Sequence, residues 1–188
     1  MTKELKELIN SDINKFRSLA LQYGAKQLSI IIKIPFLRNK YYPNLATIIY
    51  YRIARYHLLN NNKFRFFYYT LKLRSFRAKT GIDLAPQTVI GSPFLFEHLG
   101  PRVISSLAII GKNCKISPGV TIGGGKNKDK EEGFPMIGDN VSIRTNSVVA
   151  GKIKVGHNVN IGPNCFVNFD IPDNASVICT GIIIKEKK

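Results

Sequence analysis

Acid is scarce in this chain of 188 residues: 12 Asp and Glu stand against 28 Lys and Arg. The deficit is uneven. Residues 1–80 hold 16 basic residues against Glu4, Glu7 and Asp12, a balance of +13, whereas residues 81–188 hold 12 against 9, a balance of +3. The excess charge therefore belongs to the N-terminal part. Cysteine is also sparse. Cys114, Cys165 and Cys179 are odd in number and lack metal-ligand spacing, which excludes a disulfide framework. No apolar run is long enough to cross a bilayer, since Leu28–Leu37 is broken by Lys33 and Pro35. Met1 to Asn14 is polar and charged, so no secretory signal is read there and a reducing cytoplasm is expected.

What is present is a period. An aliphatic residue stands at every sixth position through Ile104, Ile110, Ile116 and Ile122, and again through Ile137, Ile143, Val149, Val155, Ile161 and Val167. Glycine often follows, as in Ile110-Gly111 and Ile161-Gly162, and a second small or aliphatic residue sits four positions on, as in Cys114, Val120, Val159 and Cys165. An α-helix repeats at 3.6 residues and a lone strand at two, so neither fits. Six fits a parallel β-helix in which each hexad supplies one short strand and one turn. The expected fold is mainly β, a left-handed parallel β-helix over 81–188, preceded by an α-helical, basic region over 1–80. Cys114 and Cys165 fall at core positions of the repeat.

In the N-terminal region, Leu5, Ile9, Ile13, Phe16 and Leu19 recur at three- and four-residue spacing and predict an amphipathic helix over 3–22. Pro43 opens a second helix to about Asn60, and a third runs from Lys63 to Thr80, with Gly81 as its stop. These two interleave Tyr50, Tyr51, Phe64, Phe66, Phe67 and Tyr68 with Arg52, Arg55, Arg65, Lys72 and Arg74. The pattern is compatible with helices packed on one another or on neighbouring subunits, or with peripheral contact to an anionic membrane through residues 1–80. No nucleic-acid motif is present.

Two irregularities interrupt the repeat. Between Ile122 and Ile137 a polar loop, 123–136, leaves the solenoid, which tolerates insertions because each coil touches only its neighbours. Upstream, Phe96-Glu97-His98-Leu99-Gly100-Pro101 marks a slip of register, and Asp83 precedes His98 by 15 residues, close to one coil of three hexads. Side by side on adjacent coils, an acid and a histidine would make a general base able to activate a hydroxyl.

Asp83-Leu-Ala-Pro, Ile90-Gly91, Glu97-His98, Val120-Thr-Ile-Gly-Gly124 and the repeats from Ile137 resemble serine acetyltransferases and their relatives in polysaccharide gene clusters, over about residues 78–185. The resemblance implies a homotrimer, or a dimer of trimers, of left-handed β-helices binding acetyl-CoA in grooves between subunits, without a metal. It implies His98 as catalytic base and Asp83 as its orienter, with Glu97 on the acceptor. Gly123 and Gly124 are candidates for stabilising the oxyanion and, with Thr145 and Pro163, for meeting the coenzyme; Lys185 falls in the closing tail. His57 and His157 are read as non-catalytic, and three histidines so dispersed do not form the zinc site of β-helical carbonic anhydrases.

The chain also departs from that pattern. Gly133-Phe134 replaces an Arg-His pair that grips an amino-acid substrate, Arg144 and Thr145 replace small residues at the inter-subunit turns, and Gly181-Ile-Ile-Ile184 replaces the usual close. A glycine and a ring do not pair with a carboxylate, but a ring stacks on a sugar face. The expected function is therefore acetyl transfer from acetyl-CoA to a sugar hydroxyl of a surface polysaccharide or its precursor, with Phe134 against the saccharide. Serine O-acetylation is the enzymatic alternative. A non-catalytic trimeric scaffold with a basic arm is the other.

Overall fold

A computed structural model describes residues 2–22 and 35–179. Four helices come first: α1 (Lys3–Gln22), α2 (Pro35–Tyr41), α3 (Pro43–Leu59) and α4 (Lys63–Thr80). Pro43 sits in the first turn of α3, where its missing N–H costs nothing. The Asn62 side chain caps α4 by accepting from the Arg65 amide, and Gly81, at φ 70°, closes it in the left-handed region. The short α2 was not legible from spacing. Leu5 and Ile9 of α1 pack on Leu45 and Ile49 of α3 in a small core of their own.

Beyond Gly81 the chain winds through about five coils of a three-sided left-handed β-helix. Face A takes β1 (Ile82–Leu84), β4 (Arg102–Ile104), β7 (Thr121–Gly123), β12 (Val148–Ala150) and β15 (Phe166–Val167). Face B takes β2 (Val89–Ile90), β5 (Ile109–Ile110), β10 (Met136–Ile137) and β13 (Lys154–Val155), extended by a bridge to Ile171. Face C takes β3 (Phe94–Phe96), β6 (Cys114–Ile116), β11 (Ser142–Ile143), β14 (Asn160–Ile161) and β16 (Ser176–Val177). All pairings on the three faces are parallel, and the hexad residues stack inward: Leu84, Ile104, Ile122, Val149 and Val167 form one buried column. Burial of these columns is the main stabilising term, since each aliphatic side chain removed from water contributes roughly 1.5–3 kcal/mol.

The turns carry their own device. Asn113, Asn140, Asn158 and Asn174 occupy the B-to-C corner with positive φ, a conformation asparagine tolerates well. Their amides donate in a ladder, 113 to 140, 140 to 158 and 158 to 174, at 2.7–2.9 Å. The same corner holds His157, whose ring accepts from the Asp139 amide.

The helices are locked onto the first coil. Asp12 of α1 and Arg52 of α3 form a fully buried ion pair at 2.8 Å. The Asp12 carboxylate also accepts from the Phe94 amide, and Arg52 donates to the Gly91 carbonyl. Tyr51 donates its hydroxyl to the Thr88 carbonyl, while Ile48, Tyr51 and Leu73 join the β-helix core.

Candidate active site

The site is built at a corner where the repeat is loosened. Leu84 pairs with Ile104, Ile104 with Ile122, and Val149 with Val167, so an ordinary coil takes 18 residues and the first takes 20. The two extra residues lie between β3 and β4, at the corner of faces C and A. There His98 adopts φ 54° and projects as an exposed side chain, next to exposed Leu99.

Arg102, one strand later, holds that turn. Its guanidinium is buried and donates to the carbonyls of Gly100 and His98 at 2.8 and 3.0 Å, to that of Ile116 at 3.2 Å, and to that of Glu97. It also lies over the Phe96 ring. Asn44 of α3 donates a further bond to the His98 carbonyl. Burial pulls the Arg102 pKa down to about 10, partly countered by Glu97, so the group remains charged at neutral pH. Sequence reasoning missed Arg102, because an arginine opening a strand reads as a surface residue.

His98, Glu97 and Arg144 line one pocket of about 370 Å³. Its other wall is apolar and aromatic, from Phe16 and Leu19 of α1 and from Tyr41 and Tyr42 at the α2–α3 junction. Arg144 reaches down the C–A edge from the corner after β11 to pair with Glu97 at 3.4 Å, and Ser117 donates to the same carboxylate oxygen. On this edge too lie exposed Thr145 and Pro163, on stacked corners joined by the Asn164 amide donating to the Thr145 carbonyl.

The remaining expected site residues are elsewhere. Asp83 does not stand beside His98: its register partner on the next coil is Val103, because 15 residues fall short of a 20-residue coil and leave His98 on the corner before face A resumes. The Asp83 carboxylate instead pairs with Arg77 of α4 at 3.0 Å. No hydrogen bond or ion pair joins Asp83 to His98 among the described residues. The loop over 123–136 is an antiparallel hairpin, β8 (Gly125–Lys126) with β9 (Glu132–Gly133), at the corner of faces A and B. Its tip is fastened to later coils, the Lys128 amide donating to Asn168 and the Asn127 side chain to Lys152. Phe134 lines a cleft of about 430 Å³ beneath this hairpin, not the His98 pocket. Its ring packs on Gly124, where an added Cβ would meet it at 2.6 Å, whereas beside Gly123 the nearest atom is 3.8 Å away. Lys185 lies outside the described residues.

His57, read as non-catalytic, is buried and stacked on Tyr69, and burial lowers its pKa. Cys114 and Cys165 are core residues, and burial pushes the Cys114 thiol up to about 11. Among the described residues no group of three or more His, Cys, Asp and Glu side chains is placed to hold a metal ion.

The comparisons with known proteins agree with this architecture. The family described as "Bacterial transferase hexapeptide (six repeats)" matches residues 134–168. A serine acetyltransferase of Staphylococcus epidermidis is 39% identical over 109 residues, covering 57% of this chain and 51% of its own length. The chain thus spans about half the length of the curated relatives it matches. Serine acetyltransferase isoform 3 of Entamoeba histolytica, solved with cysteine, superposes with a TM-score of 0.71 at 27% identity, over 98% of this chain and 62% of that one. A serine acetyltransferase solved with CoA superposes with a TM-score of 0.61 at 25% identity, over 74% of this chain and 57% of that one. In sequence over about half of their length, and in fold, the chain is thus similar to serine acetyltransferases, and it carries the bacterial transferase hexapeptide repeat over residues 134–168.

Proposed function

We propose that the chain transfers an acetyl group from acetyl-CoA to the hydroxyl of a small amino acid, L-serine being the first candidate. This revises the saccharide expectation: the relatives named above are serine acetyltransferases, and none carries a polysaccharide description. The observation that carries the revision is the Glu97–Arg144 pair beside His98. Arginine forks onto a carboxylate, and a carboxylate accepts from an ammonium, so a zwitterion inserted between the two would match both charges. Arg144 thus supplies the cation absent from position 133, and its presence at the turn acquires a purpose.

In this reading His98 takes the proton from the acceptor hydroxyl as its oxygen attacks the thioester carbonyl. The tetrahedral intermediate collapses, the C–S bond breaks, and the imidazolium returns the proton to the departing thiolate. Asp83 would stabilise the imidazolium only after leaving Arg77. The C–A edge is the candidate path for the coenzyme, because Thr145 and Pro163 are exposed on its stacked corners, and Gly123 leaves open space near a developing oxyanion. Thr145 and Pro163 stand on one edge of the prism and Gly123 on another, so one complete site needs two chains, as in a trimer. Exposed Val103, Ile109, Met136 and Phe166 on the strands supply apolar contact for that assembly.

A second reading retains a sugar acceptor, favoured by the tyrosines lining the His98 pocket and by Phe134 under the hairpin. Release of CoA from acetyl-CoA, measured with L-serine in parallel with a sugar panel, separates the two. L-serine should support turnover, and Arg144→Gln should raise its KM at least tenfold, consistent with loss of a charge-assisted bond of about 1.5–3 kcal/mol. Turnover with sugars alone would return the acceptor to the saccharide class.

A further inference from the structure

Helix α4 carries two apolar faces, and among the described residues only one is covered. Leu73, Phe76 and Thr80 are buried against the rest of the molecule. On the opposite side Phe64, Phe67, Tyr68 and Leu71, at the spacing of one helical stripe, face outward, with Phe64 92% and Phe67 65% exposed. Cations flank this stripe on both sides. Arg65, Lys72 and Lys79 recur every seven residues along one flank, and Lys63, Arg74 and Arg77 line the other; all six are exposed. No acidic residue occurs in α4, nor anywhere in the 70 residues from Ile13 to Ile82.

We infer that this outward face of α4 is a docking surface for an anionic lipid bilayer. The arrangement is the one an interfacial helix requires: rings and an aliphatic side chain enter the acyl boundary, and long basic side chains on either flank reach the headgroups. Charge decides the partner. A second copy of this chain would bring the same cations against these, whereas an anionic leaflet is complementary to all six. The helix docks lengthwise, since none among the described residues is long and apolar enough to cross a membrane. The inference goes beyond the acetyl-transfer reading and stands without it. Should that reading hold, Arg77 links the lipid-facing flank to Asp83, its ion-pair partner.

The test is flotation of the full chain with vesicles of phosphatidylcholine alone or mixed equally with phosphatidylglycerol. Binding to the mixed vesicles only, lost in high salt, is expected. The double variant Lys72→Glu/Arg74→Glu should bind about 30-fold more weakly. Phe67→Ser/Leu71→Ser should also release the protein while its mass in solution stays that of the unaltered chain. Failure of the unaltered chain to float, or flotation that neither variant weakens, would overturn the inference. A lower mass for Phe67→Ser/Leu71→Ser, without lipid binding by the unaltered chain, would assign the stripe to a second copy instead.

Discussion

His98 owes its position to one inserted corner and one buried arginine. The two extra residues before β4 give the turn room to leave the hexad path, and the Arg102 guanidinium ties the carbonyls of Glu97, His98 and Gly100 into one conformation. A cation donating to several buried carbonyls is a costly arrangement to solvate and a rigid one once satisfied. The exposed histidine therefore rests on an ordered base. With its side chain exposed and in no hydrogen bond among the described residues, His98→Ala should leave the melting temperature nearly unchanged while lowering kcat by about 10²–10⁴. Thermal melts alongside CoA-release assays check both halves, and turnover near that of the unaltered chain would remove His98 from the mechanism. Glu97 and His98 were legible as neighbours in the sequence. Arg144 was legible only as a departure, because nothing local shows that an arginine two coils away reaches Glu97.

At the scale of elements, the hairpin and α4 mark the two limits of pattern reading. The hairpin between β7 and β10 is announced by a break in a strict period, yet its strands and its fastening to Lys152 and Asn168 depend on contacts with later coils. Replacing 125–133 by a short turn should preserve the β-helix, because the coils on either side already stack Ile122 on Val149. It should also abolish transfer, since the Gly124–Phe134 contact and the cleft beneath the hairpin go with it. Circular dichroism and the CoA assay distinguish these effects. In α4 the difficulty is of another kind. Apolar residues on two opposite faces cancel the single-stripe periodicity by which an amphipathic helix is recognised, so the sequence shows abundant aromatics without showing which of them are covered.

Across the whole molecule, the C–A edge with His98, Arg144, Thr145 and Pro163 and the A–B edge with Gly123 and the hairpin never meet within one chain. In the proposed trimer each site would take one edge from each of two neighbours. A preparation in which His98→Ala and hairpin-deleted chains are co-assembled in equal amounts should then recover about one quarter of the activity, although each alone is inactive, because random assembly pairs two intact edges at that frequency. Refolding the two chains together and separately tests this, and no recovery in the mixture would mean that the site is complete within one chain.

The β-helix, its break, the long helices α1, α3 and α4 and the uneven charge are all readable from the chain alone, because a hexad period and helix-end signals are local and each coil needs only its neighbours. Only the tertiary structure decided which side chains meet. It placed Asp83 with Arg77 rather than His98, Phe134 with Gly124 rather than in the His98 pocket of its own chain, and Arg144 with Glu97. The physical reason is that these partners are set by coil lengths of 18, 20 or more residues and by the reach of long side chains across corners, quantities that no short stretch of sequence contains.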